Sequence, residues 1–319
     1  KAFKAEQDPK KRQALGIEIA ELAEKSGGNP ERAIDFWKAT LRQNPDHPDA
    51  RASLMRLYRQ TEKWNALLEL LKDDVEAIDV STLAGKQEKV EGLMEIVAIY
   101  RDRLNLDVMV INTYNNILAL LPNHFEALDA LGEKYEQLGR WTDLIAILQH
   151  KANIDGLEKE VRANLLRRVA MLWTERFGNY AQAIFPLEAL LAEMPDDSHA
   201  LEQLQEIYTK RRQWGPLLAL QRRKLEGLGG EARRQELCDM ARVAADKLGD
   251  VGLAIGFWNR VLESDEKDSE ALFALANLYE REKRHHALAE IRHRQLAAVA
   301  GDVKASVLIL EKLGSLYAE

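Results

Sequence analysis

Apolar residues recur at helical spacing along this chain, most clearly in the stretch Phe125–Leu148. There, Ala127, Leu131 and Tyr135 are four residues apart and share one face of a helix, with polar residues on the others. A second apolar series follows after the interruption Leu138–Arg140. The pattern predicts two short amphipathic helices joined by a tight turn.

This pair of helices recurs along the chain. Residues of one type return after steps of 77, 73 and 71 residues. The columns are Tyr58, Tyr135, Tyr208 and Tyr279; Ala50, Ala127, Ala200 and Ala271; Leu54, Leu131, Leu204 and Leu275; and Leu67, Leu144, Leu217 and Leu288. Self-similarity at a nearly fixed period is the sequence signature of a stacked repeat architecture.

A second set of columns keeps the same steps and marks another helix, predicted from about Glu31 to Arg42 in its first copy. A small residue, a large one four positions later and a proline indicate two helices that cross closely, followed by a stop. The columns are Ala33, Val110, Ala183 and Ala254; Trp37, Tyr114, Leu187 and Trp258; Thr40, Ile117, Leu190 and Val261; and Pro45, Pro122 and Pro195, with Glu266 in the fourth copy.

Each long period therefore contains four helices, or two helical hairpins. The periods cover about 10–83, 84–156, 157–228 and 229–300, and residues 301–319 begin another. We expect one continuous solenoid over 1–319, with a longer loop near 79–85. A helix predicted at 302–318 has an apolar set that nothing later in the chain covers: Val303, Val307, Leu308, Leu310, Leu313 and Leu316.

The first residues resemble the end of a repeat. Residues 2–7 read as the tail of a helix, and a further helix is predicted from about Lys11 to Lys25. Because both ends resemble interrupted repeats, we expect the natural protein to continue in both directions.

Charge, cysteine count and the length of apolar runs exclude several classes of function. The formal net charge of -7 argues against a dedicated nucleic-acid binder, which normally has a strong basic excess. The single cysteine, Cys238, excludes a disulfide within the chain and a thiolate metal cluster. No apolar run approaches the length of a membrane span. These features leave the compartment open between cytoplasm and periplasm.

No motif for catalysis or cofactor binding is present: the chain has no P-loop, nucleophile elbow or glycine-rich dinucleotide turn. His285, His286 and His293 come nearest to a metal cluster, but no carboxylate-histidine pattern accompanies them. We therefore expect no enzyme activity, cofactor or metal. The residues that begin second helices are interpreted as packing between hairpins: Trp64, Trp141 and Trp214, with His285 in the fourth copy.

The two kinds of helix resemble those of a tetratricopeptide repeat (TPR). The first helix carries Leu131, Gly132 and Tyr135, and the second is typified by Ala183, Leu187 and Pro195. The resemblance covers essentially the whole chain. It implies an all-α, right-handed α-solenoid (superhelix) of about eight hairpins plus an unpaired terminal helix. The chain departs from the family in its glycine column, which reads Met55, Gly132, Gln205 and Ala276. The pairing of hairpins resembles long bacterial repeat arrays, some with roles in motility and envelope assembly.

In the TPR family the first helix of each hairpin lines the inner, concave surface. Carried over by register, this resemblance gives a partner-binding set: Arg56, Arg59, Gln60, Asp129, Glu133, Glu136, Gln137, Glu202, Glu206, Lys210, Asn277, Glu280 and Arg281. The set contains basic, acidic and mixed zones, so a peptide laid along it would be recognised by its charge pattern. The alternative interpretation is an ordinary solvated surface.

A basic band is a second candidate: Lys210, Arg211, Arg212, Arg222, Arg223, Lys224, Arg233 and Arg234. Nearby glutamates favour surface ion pairing as its explanation, namely Glu206, Glu226, Glu231 and Glu236. The other interpretation is a site for an acidic partner.

Together these observations favour a non-catalytic scaffold that binds a partner protein or peptide on its concave face and assembles a larger complex, of which bacterial motility and envelope complexes are examples. Self-association through helix 302–318 is a further expectation. Two alternatives stay open: an RNA-processing repeat protein that uses the basic band, and the regulatory arm of an enzyme located outside this sequence.

Overall fold

The computed structural model describes residues 11, 15–19, 22, 30–45 and 47–318. It divides the chain into two compact units, Lys1–Ile154 and Asp155–Glu319. The helix tail predicted at residues 2–7 and most of the helix predicted at 11–25 lie outside the described residues, although residues 11, 15–19 and 22 are helical.

The first unit is built from consecutive helices. They are α1 (Pro30–Gln43), α2 (Pro48–Gln60), α3 (Trp64–Ala77), α4 (Leu83–Ile99), α5 (Asp107–Leu120), α6 (Phe125–Gln137) and α7 (Trp141–Ala152). A π-helical turn, Tyr100–Leu104, extends α4. Each helix packs against the next one along the chain.

The second unit repeats this arrangement. Its helices are α8 (Lys159–Glu175), α9 (Tyr180–Glu193), α10 (Ser198–Lys210), α11 (Trp214–Leu225), α12 (Gly230–Arg242), α13 (Val251–Ser264), α14 (Ser269–Arg281), α15 (His285–Ala298) and α16 (Val303–Ala318). A π-helical turn, Val243–Leu248, extends α12. No strand occurs in the described part of the chain, so the all-α fold of stacked hairpins is confirmed. That both units form one solenoid stays a prediction.

The sequence columns form the core. Leu54 and Leu131 in the first unit are almost completely buried, as are Leu204 and Leu275 in the second. In the tyrosine column Tyr279 is half-buried, and the proline column, which follows the helix ends, is exposed. Burying one leucine contributes about 2 kcal/mol by area, so each column stabilises every hairpin it passes through.

Helix starts follow the same register. Four side chains accept a hydrogen bond from the backbone N–H of the alanine three residues later, at 3.3, 3.2, 2.8 and 2.8 Å. These N-caps are His47, His124, Asp197 and Asp268. Each satisfies a donor that would otherwise lack a partner in the first turn of its helix.

The turns within these hairpins form another column. A residue with positive φ ends the first helix in each: Glu62 (56°), Gly139 (65°), Arg212 (55°) and Lys283 (56°). The next residue then donates its N–H to the carbonyl of the tyrosine column, as Arg140 does to Tyr135 at 2.8 Å. This is a Schellman-type ending, which favours glycine, yet only one copy has it.

The loop predicted at 79–85 extends too far. Helix α4 begins at Leu83, and Gly85 is buried in its first turn, where its N–H donates to Thr82 Oγ1 at 3.1 Å. A β-carbon at Gly85 would lie 1.8 Å from the Asp79 carbonyl oxygen. The glycine is therefore explained by a close approach of the backbone rather than by a loop.

The turn column gives a stability prediction. Replacing Gly139→Ala should lower the free energy of unfolding by about 1 kcal/mol, because alanine is strained at positive φ. Replacing Glu62→Gly in the same unit should raise it by up to about 1 kcal/mol for the opposite reason. Urea denaturation followed by circular dichroism measures both. Equal signs for the two variants would contradict this account of the turn.

Candidate functional site

The thirteen partner-binding residues predicted from sequence are all exposed on α2, α6, α10 and α14. The alanine and leucine columns of the same four helices are buried. Helical periodicity therefore places these polar residues opposite the core. We call their exposed side the first-helix face; its role in binding stays a prediction.

In the first unit, the first helices of neighbouring hairpins meet on this face. Arg59 on α2 donates from Nη2 to Glu95 Oε1 on α4. A cleft of about 470 Å³ follows between α4 and α6, with Glu91 and Glu126 in its lining. The face of α6 then presents acidic side chains, one of which, Asp129, accepts from Lys151 Nζ on α7.

In the second unit, the face of α10 has mixed charge. Lys210 Nζ lies 2.6 Å from Glu206 Oε1 and 4.9 Å from the ring centroid of Tyr180. The hydrogen bond to Glu206 raises the pKa of Lys210. Lys210 and Glu206 on α10 therefore balance each other's charge.

The first helices α14 and α16 flank a groove that α15 floors. It consists of two adjoining cavities of about 200 and 560 Å³, and Arg292 and Lys312 line both. The smaller cavity has an apolar lining that includes Leu272, Phe273, Leu308 and Ile309. The larger one is lined by Glu280, Lys283, His285, Leu288, Ser315 and Leu316 besides the two shared cations. We call this the Arg292 groove.

Helix α16 carries the apolar set predicted for the terminal helix. Leu313 is buried, whereas Val303, Val307, Leu308 and Leu310 are exposed by 49–75%. The helix packs on α15, which precedes it in the chain. Self-association through it stays a prediction.

Contacts within the second unit engage most of the basic band. Lys224 Nζ lies 3.2 Å from Glu236 Oε2, and Arg234 Nε lies 2.5 Å from Asp268 Oδ2. Arg233 donates to the carbonyl of Leu225 at 2.6 Å. Arg223 donates to the Leu191 carbonyl. Burial would raise the pKa of Asp268, but hydrogen bonds from Arg234 and the Ala271 amide hold it below its usual value. The ion-pairing interpretation therefore accounts for much of the band.

The histidines line a pocket of about 750 Å³ between α15 and α16, where His293 Nε2 lies 3.2 Å from Tyr317 Oη. His285 and His286 line it too. Within the described residues, no group of three or more His, Cys, Asp or Glu side chains is placed to hold a metal ion. In the same part of the chain, no helix has the length and apolarity needed to cross a bilayer.

Cys238 belongs to the core rather than to a reactive site. Its side chain is fully buried among the helices of the second unit. Burial, followed by the charge of Glu270, raises its pKa to about 11. A thiol with this pKa is a poor nucleophile near neutral pH.

Sequence reasoning missed Arg292. It occupies a core column whose other members are Leu71, Leu148 and Gln221, at the same steps of 77, 73 and 71 residues. Arg292 is only 5% exposed. The sequence signal is a charged residue in a column whose other members are two leucines and a glutamine.

Comparison with known proteins supplies only structural likenesses. No family model and no curated protein sequence matches the chain. It is similar to a TPR protein from Parabacteroides merdae at 20% identity, covering 83% of this chain and 98% of that one with a TM-score of 0.30. The Cut9-Hcn1 hetero-tetramer of APC/C is 15% identical over 98% of this chain and 58% of that one, TM-score 0.29. The human IFIT1 dimer with m7Gppp-AAAA is 14% identical over 96% and 72%, TM-score 0.32.

The burial of Cys238 is testable with a thiol reagent. At pH 8 the native protein should react with DTNB at least about a hundredfold more slowly than the urea-unfolded chain, because both access and thiolate fraction are low. Absorbance at the thionitrobenzoate band follows the reaction. Rapid labelling of the native protein would contradict the buried position of the thiol.

Proposed function

We propose that this protein is a non-catalytic scaffold that binds a partner protein or peptide on its first-helix face and helps assemble a larger complex. The observation that carries the proposal is the separation of roles on each repeated helix. One side is fixed by the buried columns, and the other presents exposed charged side chains. Such stacks offer an extended binding surface.

The charge on the face differs between helices, which supports selective recognition. Arg56 and Arg59 give α2 a basic face, whereas Glu133 and Glu136 make that of α6 acidic. Complementary charge across an interface selects the partner and its orientation. The face of α6 is therefore suited to a basic segment of a partner.

Recruitment into a bacterial motility or envelope complex is the finer form of this proposal. Its support is the pairing of two hairpins per period, which resembles long bacterial repeat arrays. RNA binding through the basic band is less well supported, because Lys224, Arg233 and Arg234 already hold carboxylates or carbonyls inside the second unit. Phosphate groups would have to compete with those contacts.

The proposal is tested by site-specific photo-crosslinking in cells that produce the protein. A photoreactive residue at Glu133 should capture a partner, because this position lies on the first-helix face. The matched control is the same residue at Ala146, which is exposed on the second helix of the same hairpin. Mass spectrometry identifies the captured protein.

Charge reversal then tests the chemistry. The double variant Glu133→Lys and Glu136→Lys should lower capture at a neighbouring face position about tenfold, as expected for lost charge complementarity. Equal capture from Glu133 and Ala146, or undiminished capture by the double variant, would count against the first-helix face as the binding surface.

A further inference from the structure

A buried guanidinium stands in a column that has leucine in the first two copies and glutamine in the third. Arg292 Nη1 donates to Gln295 Oε1 at 3.0 Å, and Nη2 to Glu280 Oε2 at 3.3 Å. The Glu280 side chain is itself 63% exposed. Removing a charge from water is costly unless close, buried partners compensate. One solvated carboxylate compensates poorly, so packing alone does not explain why this position is arginine.

The surroundings of Arg292 supply further positive charge. Lys283 and Lys312 line the larger cavity with it, and Glu280 is the cavity's carboxylate. Within the described residues, neither lysine forms an ion pair. Three cations therefore face one anion in a chain whose net charge is -7. Charge complementarity selects an anionic ligand for this part of the groove.

The adjoining part of the groove is apolar. Phe273 is 60% exposed and Leu308 is 55% exposed, and both line the smaller cavity. Arg292 and Lys312 border both cavities, so the cationic and apolar parts are continuous. A ligand that fills both must place an acidic group beside a large apolar group.

We propose that the Arg292 groove binds a peptide segment in which an acidic side chain neighbours large apolar side chains. The carboxylate pairs with Arg292 and Lys312, and the apolar side chains cover Phe273 and Leu308. This inference rests on the proposed scaffold function and names the partner chemistry for the part of the face next to α14. RNA fits less well, because the apolar cavity offers nothing to phosphate and Glu280 repels it.

Glu280 then has a defined role in the free protein. Its carboxylate holds the guanidinium until a ligand carboxylate replaces it, which its high exposure allows. Glu280 is therefore an internal competitor of the ligand. Its removal should strengthen binding of an acidic peptide, the opposite of what a simple contact residue would give.

The test measures fluorescence anisotropy with a labelled peptide of Glu-Leu-Leu-Glu repeats. The Gln-Leu-Leu-Gln and Glu-Ser-Ser-Glu versions serve as probes of charge and apolarity, and a short oligouridine as the RNA probe. We expect the Glu-Leu-Leu-Glu peptide to bind at least about tenfold more tightly than the two altered peptides and the oligouridine. Its affinity should fall as the salt concentration rises.

Variants of the protein locate the site. Lys312→Ala should weaken binding about threefold to tenfold, whereas Lys304→Ala on the same helix, an equal charge change outside the groove, should leave it within about twofold. Glu280→Gln should tighten it about twofold to fivefold for the reason given above. Arg292→Leu should abolish binding while the melting temperature is kept or raised, because it replaces a buried charge with the residue that Leu71 and Leu148 provide at this position.

Equal binding of the Glu and Gln peptides, equal effects of Lys304→Ala and Lys312→Ala, or tighter binding of oligouridine would overturn the inference. The inference would also fail if light scattering found a dimer and that dimer did not bind the peptide, since a second copy would then occupy the groove. If Arg292→Leu fails to fold, the Lys312→Ala and Glu280→Gln variants still show whether the groove binds the peptide. Glu133 lies in the first unit, so crosslinking from this position tests the scaffold function separately from the groove.

Discussion

The depth at which neighbouring helices pack is set by one alanine in every period. Ala50, Ala127, Ala200 and Ala271 are buried to within 1% of complete exclusion from solvent. Each also donates its backbone N–H to the N-cap side chain three residues earlier. The alanine thus fixes two things: the residue at which the helix starts and the distance at which the next helix packs. A larger side chain would push that helix away.

The composition of the exposed face follows from that constraint. Once the alanine fixes rotation and start, the residues two, six and nine positions later must point away from the core at 3.6 residues per turn. They are Asp129, Glu133 and Glu136 in α6, and their counterparts can vary in charge without disturbing the packing. A fold of this kind separates the positions that determine stability from those that are free to determine binding.

Much of this arrangement was predictable from the sequence, and the exceptions have physical reasons. The second helices begin at Trp64, Trp141 and Trp214 as predicted, because apolar periodicity reports which side chains face the core. The π-helical turns that end α4 and α12 were not predicted, since one additional residue per turn leaves composition unchanged. The sequence alone places Gly85 in a loop, because it does not distinguish a flexible glycine from one required by close packing.

The two units differ in the polarity of their cores, and this is where the repeat departs furthest from its own rules. In the described part of the first unit, the buried polar side chains are Thr40 and Thr113, which bond to carbonyls of their own helices. The second unit buries Gln221, Glu236, Asp268, Arg292 and Gln295.

Asp268 has a structural reason, because it caps α14 and pairs with Arg234. No structural reason of comparable strength explains Arg292, because a leucine would fill the same position without the cost of burying a charge. Positions that break a local rule without a gain in packing are expected at functional sites. A buried cation that opens onto a groove and has one exposed carboxylate partner is therefore better explained by an anionic ligand than by the stability of the hairpin that contains it.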